Sequence, residues 1–296
     1  MTDGPHTSAQ SDTSRADTLR GIVLIVLASC FAVASSALTK ALSETFPSLQ
    51  IVWVRAVVTL VCLLPFLLRS RFAGLWPARP ALMTFRSFNA AVIIVLNIYA
   101  VGRLPLVDFT AIGFTTPLFV IGLSFFILGD KPQLKRSLAT LLGFAGVMMI
   151  VRPTGAVSLG LVAAIGGAFC LGLGVLLIRL LSRTEGQVRL MLWSNGLLVL
   201  LMGVPAYTLW VPPNAAEIGL LIAAGLAGTL TQAFILMAYE VGEPTVIAPF
   251  DYSRILIAVA VGFAFFGEVP DVLTFVGAAL IIGAGLFIAR MRSSPA

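Results

Sequence analysis

Asp251 and Arg254 stand three residues apart in a stretch that is otherwise apolar, and Arg55, Arg86 and Arg179 stand alone in others. Spacing of three puts two side chains on one helix face, where opposite charges pair. Such a pair offers a zwitterion two exchanges: its carboxylate against Asp251 at Arg254, its ammonium against Arg254 at Asp251. The alternative is a closed pair that fixes helix packing. Charge at bilayer depth costs about 2.5–3.5 kcal/mol per group or more, so it faces a protein interior or a watery path. Pro249 removes a backbone donor just before the pair and allows a bend there.

Other polar side chains fall at helical spacings. Arg55, Thr59 and Cys62 share a face, and Arg55 has two readings: an anion-binding group, or a partner for an acid such as Asp108. Arg86, Asn89, Ile93 and Asn97 form a second stripe, with Thr229, Gln232 and Tyr239 its counterpart later in the chain. Two such stripes read as cavity walls or as interhelical hydrogen bonding, and Arg86 can also snorkel. Lys40 and Arg179 end apolar runs and read as interfacial anchors or as pathway charges. Trp53, Tyr99, Phe114, Trp193, Tyr239 and Tyr252 are candidates for stacking on a ring-bearing ligand, whereas Trp76 and Trp210 read as interfacial.

These residues need a scaffold that holds charge inside apolar surroundings. The 296 residues are 59% hydrophobic and 11% charged, with mean hydropathy +1.03. About ten apolar runs suit membrane helices: 21–41, 48–68, 81–101, 106–128, 134–151, 157–181, 188–209, 216–239, 246–266 and 271–290. Backbone pairing in lipid makes them helices. The expected fold is therefore an all-α membrane protein. Arg69, Arg71, Arg79, Lys131, Lys135, Arg136, Arg183, Arg189, Arg290 and Arg292 gather on one side, which places both termini in the cytoplasm. Residues 1–19 are polar and read as a disordered cytoplasmic tail. Their length argues against a signal peptide built on Arg20 and the run after it.

Several chemistries are disfavoured. The net charge of +6 is scattered over helix ends, unlike a nucleic-acid stripe. Cys30, Cys62 and Cys170 lack metal spacing, and His6 is the only histidine, so no metal or cofactor is expected. A Walker phosphate loop is missing. An aspartyl protease dyad of Asp130 and Asp251 fails because Ile127 stands where its signature needs glycine. A channel filter is not suggested.

The chain also repeats itself at an offset near 140. Trp53 aligns with Trp193, Pro65 with Pro205, and Tyr99-Ala100-Val101-Gly102 with Tyr239-Glu240-Val241-Gly242. With small gaps, Lys40 aligns with Arg179 and Gly129-Asp130 with Gly267-Glu268. Each half holds about five spans, so the second half is inverted, and a central cavity lies between the two. The expected repeats are 20–152 and 153–292.

The paired halves, Trp53-Val54-Arg55 early in the second span, and the Gly-acid steps together resemble the drug/metabolite transporter superfamily, EamA type. Asn195 departs from the pattern by replacing the arginine equivalent to Arg55. The resemblance implies a ten-helix bundle in the inner membrane that exports amino acids or small metabolites, with YddG-like aromatic amino-acid exporters the favoured comparison. A monomer or weak dimer in the lipid bilayer, with a small-molecule substrate and no nucleic acid, is expected. The alternatives are a quaternary-ammonium drug exporter of the same superfamily, an intramembrane enzyme and a channel.

Overall fold

The computed structural model describes residues 6–69, 76–128, 138, 141–143, 145–146, 149, 158–181, 185–241, 250–251, 253–269 and 271–292. Among them are ten helices: α1 (His6–Leu42), α2 (Ser48–Arg69), α3 (Pro80–Val101), α4 (Leu106–Gly113), α5 (Thr116–Leu128), α6 (Leu159–Leu181), α7 (Gln187–Thr208), α8 (Ala215–Val241), α9 (Ser253–Phe266) and α10 (Val272–Arg292). Six contain apolar stretches of 20 to 24 residues, each long enough to cross a bilayer. The chain is an all-α membrane protein.

Two expectations change in detail, and a third falls largely outside the described residues. Residues 6–19, expected to be disordered, belong to α1. They contain neither Gly nor Pro, and extending a helix already nucleated costs far less than starting one. The run 106–128 is broken into α4 and α5. Pro117 carries no N–H and suits a first helical turn, so the ladder stops before it. Thr115 and Thr116 hydroxyls donate to the carbonyls of Ile112 and Gly113, at 2.7 and 2.8 Å, satisfying groups the break releases. The span expected at 134–151 and residues 246–249 lie largely outside the described residues.

The helices pack as two-fold-related halves would. α1 lies along α8, and α3 lies along α6. Each contact joins the first helix of one half to the third of the other, so the two are equivalent. α2 packs on α7, its own counterpart, at the centre. Pro65 sits near the C-terminal end of α2, and its equivalent Pro205 near that of α7. Small residues permit the close crossings. A Cβ on Gly167 would lie 2.5 Å from Asn97 Oδ1, and one on Gly172 would lie 3.0 Å from Phe119 Cβ. Phe31 of α1 stacks on Phe234 of α8 at 5.5 Å.

The two rims differ. At the rim of the α1–α2 turn, Leu42, Phe46, Ile51, Val52, Leu198 and Leu221 form one buried apolar cluster. Gln50, fully buried, donates to the Val211 carbonyl at 2.8 Å and accepts from its N–H at 2.9 Å. That pair of hydrogen bonds pins the start of α2 to the α7–α8 connection.

At the opposite rim Glu185, between α6 and α7, is buried. It accepts from the Ala78 N–H at 2.7 Å and pairs with Arg189 one turn along. Burial pushes its carboxyl up, but the Arg189 hydrogen bond, the Ala78 and Arg79 N–H groups and the Arg189 charge together hold it below its usual range. A carboxyl depressed in the folded state stabilises the fold at neutral pH and loses that contribution on acidification. Thermal unfolding in detergent is therefore expected to show an acid-sensitive component setting in below about pH 4.3, and Glu185→Gln is expected to remove it. An unchanged pH profile in that variant would refute the assignment.

Candidate substrate cavity

A cavity of about 100 Å³ lies where α2, α3, α7 and α8 meet. Arg55, Ala56 and Thr59 line it from α2, Ile94 from α3, Met191, Asn195 and Leu198 from α7, and Gly225, Gly228, Thr229 and Gln232 from α8. Arg55 and Asn195, equivalent positions of the two halves, face one space. That is what a pseudo-two-fold axis between α2 and α7 requires. The apolar cluster at the α1–α2 rim shares Ala56 and Leu198 with the lining, so it forms the roof. Gln232 lies farther along, toward the opposite rim, and is exposed.

Arg55 is the charge of this cavity. Its Nη1 donates to Thr39 Oγ1 of α1 at 2.9 Å. Thr39 in turn donates to the Ser35 carbonyl at 2.7 Å, which fixes its lone pairs toward the guanidinium. Gly228 allows the approach, since a Cβ there would lie 2.7 Å from Arg55 Nη2. No carboxylate among the described residues pairs with Arg55. Asp108, the partner weighed from sequence, instead accepts from Thr274 of α10 at 3.2 Å. Thr59 and Thr229 hydroxyls meet at 3.0 Å across the α2–α8 crossing. The cavity therefore presents a guanidinium, two hydroxyls and two amides within an apolar frame, a set suited to a small anion or carboxylate.

Asp251 and Arg254 form a second polar point. Asp251 Oδ1 accepts from Arg254 Nη2 at 2.8 Å and from Ser29 of α1 at 3.0 Å. Both side chains are 27% exposed, so they are not sealed in side-chain packing. The Arg254 guanidinium lies 5.9 Å from the Phe114 ring at the α4–α5 break. Ser29 and Thr39 are both on α1, and the rise of a helix puts about 15 Å between the two points. Asp251 and Arg254 do not line the Arg55 cavity.

Among the other sequence candidates, Gln232 lines the cavity, while Asn89 and Asn97 face α6. Asn89 is buried and donates to the Cys170 carbonyl at 3.0 Å. Their spacing marks a common face, but the glycines of α6 occupy it. Arg86 donates to the Leu190 carbonyl at 2.9 Å and to Ser194, bridging α3 to α7. The Arg103 guanidinium carbon lies 3.6 Å from the centre of the Tyr99 ring. Trp193 packs edge-on against Trp76 at 5.9 Å at the far rim. Tyr252 and the Tyr239 and Arg179 side chains lie outside the described residues. Thr229, in the same sequence stripe as Gln232, lines the cavity with it. Asn195 and Met191 line it without having been among the candidates; the signal for Asn195 is its equivalence to Arg55 in the repeat.

The profile of the EamA-like transporter family matches residues 19–152 and again 158–290. A pseudopaline exporter of Pseudomonas aeruginosa is 29% identical, the match covering 92% of this chain and 96% of that protein. A riboflavin transporter of Brucella anthropi is 30% identical over 91% of this chain and 98% of its own length. An S-adenosylmethionine uptake transporter of Rickettsia prowazekii is 25% identical, with 91% and 92% covered. A crystal structure at 16% identity matches with TM-score 0.61 over 95% of this chain and 99% of that one, a likeness of fold alone. A twice-matched profile, helices that pair across two halves and a polar cavity at their junction agree: this chain belongs to the EamA-like transporter family of the drug/metabolite transporter superfamily, whose members here are small-metabolite transporters and not enzymes.

Proposed function

We propose that this chain is a secondary transporter of the cell inner membrane that exports amino acids, aromatic or hydrophobic ones foremost, or similar small carboxylates. Repeats 20–152 and 153–292 rock about the cavity by alternating access, with both termini in the cytoplasm. The observation that carries the reading is Arg55, set opposite Asn195 in the cavity with no carboxylate partner among the described residues. A substrate carboxylate would supply the missing anion. Met191, Leu198 and Ile94 would hold an apolar side chain. The relatives named above carry several kinds of metabolite, one by export and one by uptake, which supports small-metabolite cargo rather than any single compound. The quaternary-ammonium alternative is less well supported, because the charge lining the cavity is a cation.

Asp251 and Arg254 would act as a second station on the path, passing a zwitterion's charged ends between α9 and the cavity. Counterflow of a labelled amino-acid panel in liposomes, at two pH values, tests the whole reading. Saturable exchange is expected for the wild type. Asp251→Asn and Arg254→Ala are expected to lower it at least tenfold while the protein remains inserted. Wild-type exchange in both variants would remove the pair from the mechanism. Exchange of a quaternary ammonium dye but of no amino acid would replace the proposed cargo.

A further inference from the structure

Lys40 and Glu268 lie 228 residues apart and belong to opposite halves, yet their charged atoms meet at 2.5 Å. Both side chains are mostly buried, at 17% and 15% exposure. Lys40 ends α1 and also donates to the Leu104 carbonyl at 2.7 Å. Its ammonium lies 5.3 Å from the centre of the Phe266 ring. The second carboxylate oxygen of Glu268 accepts from the Leu106 N–H at 2.7 Å, where α4 begins. An acidic group there satisfies an end donor of the helix and complements its dipole.

Glu268 is delivered to this spot by local backbone. Gly267 takes φ +63°, a left-handed conformation that side-chain-bearing residues rarely adopt. The Glu268 N–H then reaches back to the Gly262 carbonyl at 3.0 Å. Gly262 leaves room for the carboxylate, since a Cβ there would lie 2.9 Å from Glu268 Oε2. One acidic side chain thus ties together the end of α1, the α3–α4 turn and the end of α9.

We infer that Lys40, Glu268 and the Leu104–Leu106 turn form a latch that closes the α1–α2 rim, and that parting Lys40 from Glu268 opens the cavity to that side. The position supports it. The latch lies at the same rim as the apolar roof over Arg55, where Gln50 makes another tie across the halves. Lys40 and the Leu104–Leu106 turn belong to the first half and Glu268 to the second, so rocking of the halves separates Glu268 from both. A mostly buried pair is strongly destabilised when one partner is removed, so a single substitution biases the protein away from the closed rim. The inference rests on the alternating-access reading, but its test requires no cargo, so a wrong substrate would not affect it.

The test uses the full chain with Cys30, Cys62 and Cys170 replaced by serine and Asn195→Cys as a reporter inside the cavity. A membrane-impermeant thiol reagent is applied separately to right-side-out and inside-out vesicles. Lys40→Met and Glu268→Gln are each expected to speed labelling from the α1–α2 side at least fivefold. The charge swap Lys40→Glu with Glu268→Lys is expected to return it only part of the way, because the swapped charges regain each other but not the Leu104 carbonyl and the Leu106 N–H. Unchanged labelling from that side in both single variants overturns the inference. Should the single variants fold poorly, Lys40→Cys with Glu268→Cys gives a second measurement. Bridging the two thiols with a short bis-thiosulfonate, which leaves a disulfide at each end, is expected to stop labelling from the α1–α2 side, and reduction, which cleaves those disulfides, to restore it. Labelling that continues through the bridge also overturns the inference.

Discussion

Arg55→Ala is expected to abolish transport while the protein still inserts and elutes as a single species in detergent. Arg55 makes one described side-chain hydrogen bond, to Thr39, and otherwise faces the cavity. Its removal leaves Thr39 with its bond to the Ser35 carbonyl, so the fold loses little. The substrate loses far more. Truncating one side of a desolvated charge pair costs about 2–5 kcal/mol, roughly 30- to 4000-fold in apparent affinity. Arg55→Lys keeps the charge but loses the planar two-pronged donor, so an intermediate defect is expected. Half-saturation in counterflow, measured beside melting temperature, separates the two effects. Near-normal half-saturation in Arg55→Ala would mean that the guanidinium is structural.

The second large effect is a contrast between two glycines one turn apart on α8. A methyl at Gly228 would lie 2.7 Å from the Arg55 guanidinium, which is the far end of a flexible side chain and can swing away. Gly228→Ala is therefore expected to leave stability nearly unchanged but weaken half-saturation at least tenfold, because it moves the binding charge. A methyl at Gly225 would lie 2.8 Å from Val58 Cβ, an atom held by its own backbone. Here the helices must part, and overpacking of this kind costs about 1–3 kcal/mol. Gly225→Ala is expected to lower the melting temperature by several degrees, with transport falling along with the amount of folded protein. If the two variants behaved alike in both measurements, the geometry around Arg55 would not control binding.

Much of this was legible from residues because the bilayer imposes simple rules. Apolar run lengths located most of the helices, and the offset between Trp53 and Trp193 revealed the paired halves. The site was harder. Asp251 and Arg254 stand three residues apart in one apolar run, a local pattern, although α9 begins only at Ser253 and Asp251 lies just ahead of it. Arg55 and Asn195 form a cavity through the rotation and crossing of α2 and α7, which one-dimensional spacing does not encode. Likewise the spacing of Asn89 and Asn97 gives a face but not the neighbour it meets, and α6 glycines take that face. Lys40 and Glu268 were each noticed as an end-of-helix charge or a Gly-acid step. Their pairing across 228 residues is a tertiary fact. The break at Thr115-Thr116 is different, since Pro117 announced it and the apolar run concealed it.

The interlocking of α1 with α8 and of α3 with α6 bears on how the chain is made. A ribosome that has finished only the first half has threaded α1 and α3 into lipid with their long-term neighbours still unsynthesised. Those faces must wait, holding Asn89 and Asn97 against lipid or one another, until the second half emerges. Assembly is therefore a late event in synthesis, and a truncated product would be an open surface for quality control rather than a half-working carrier.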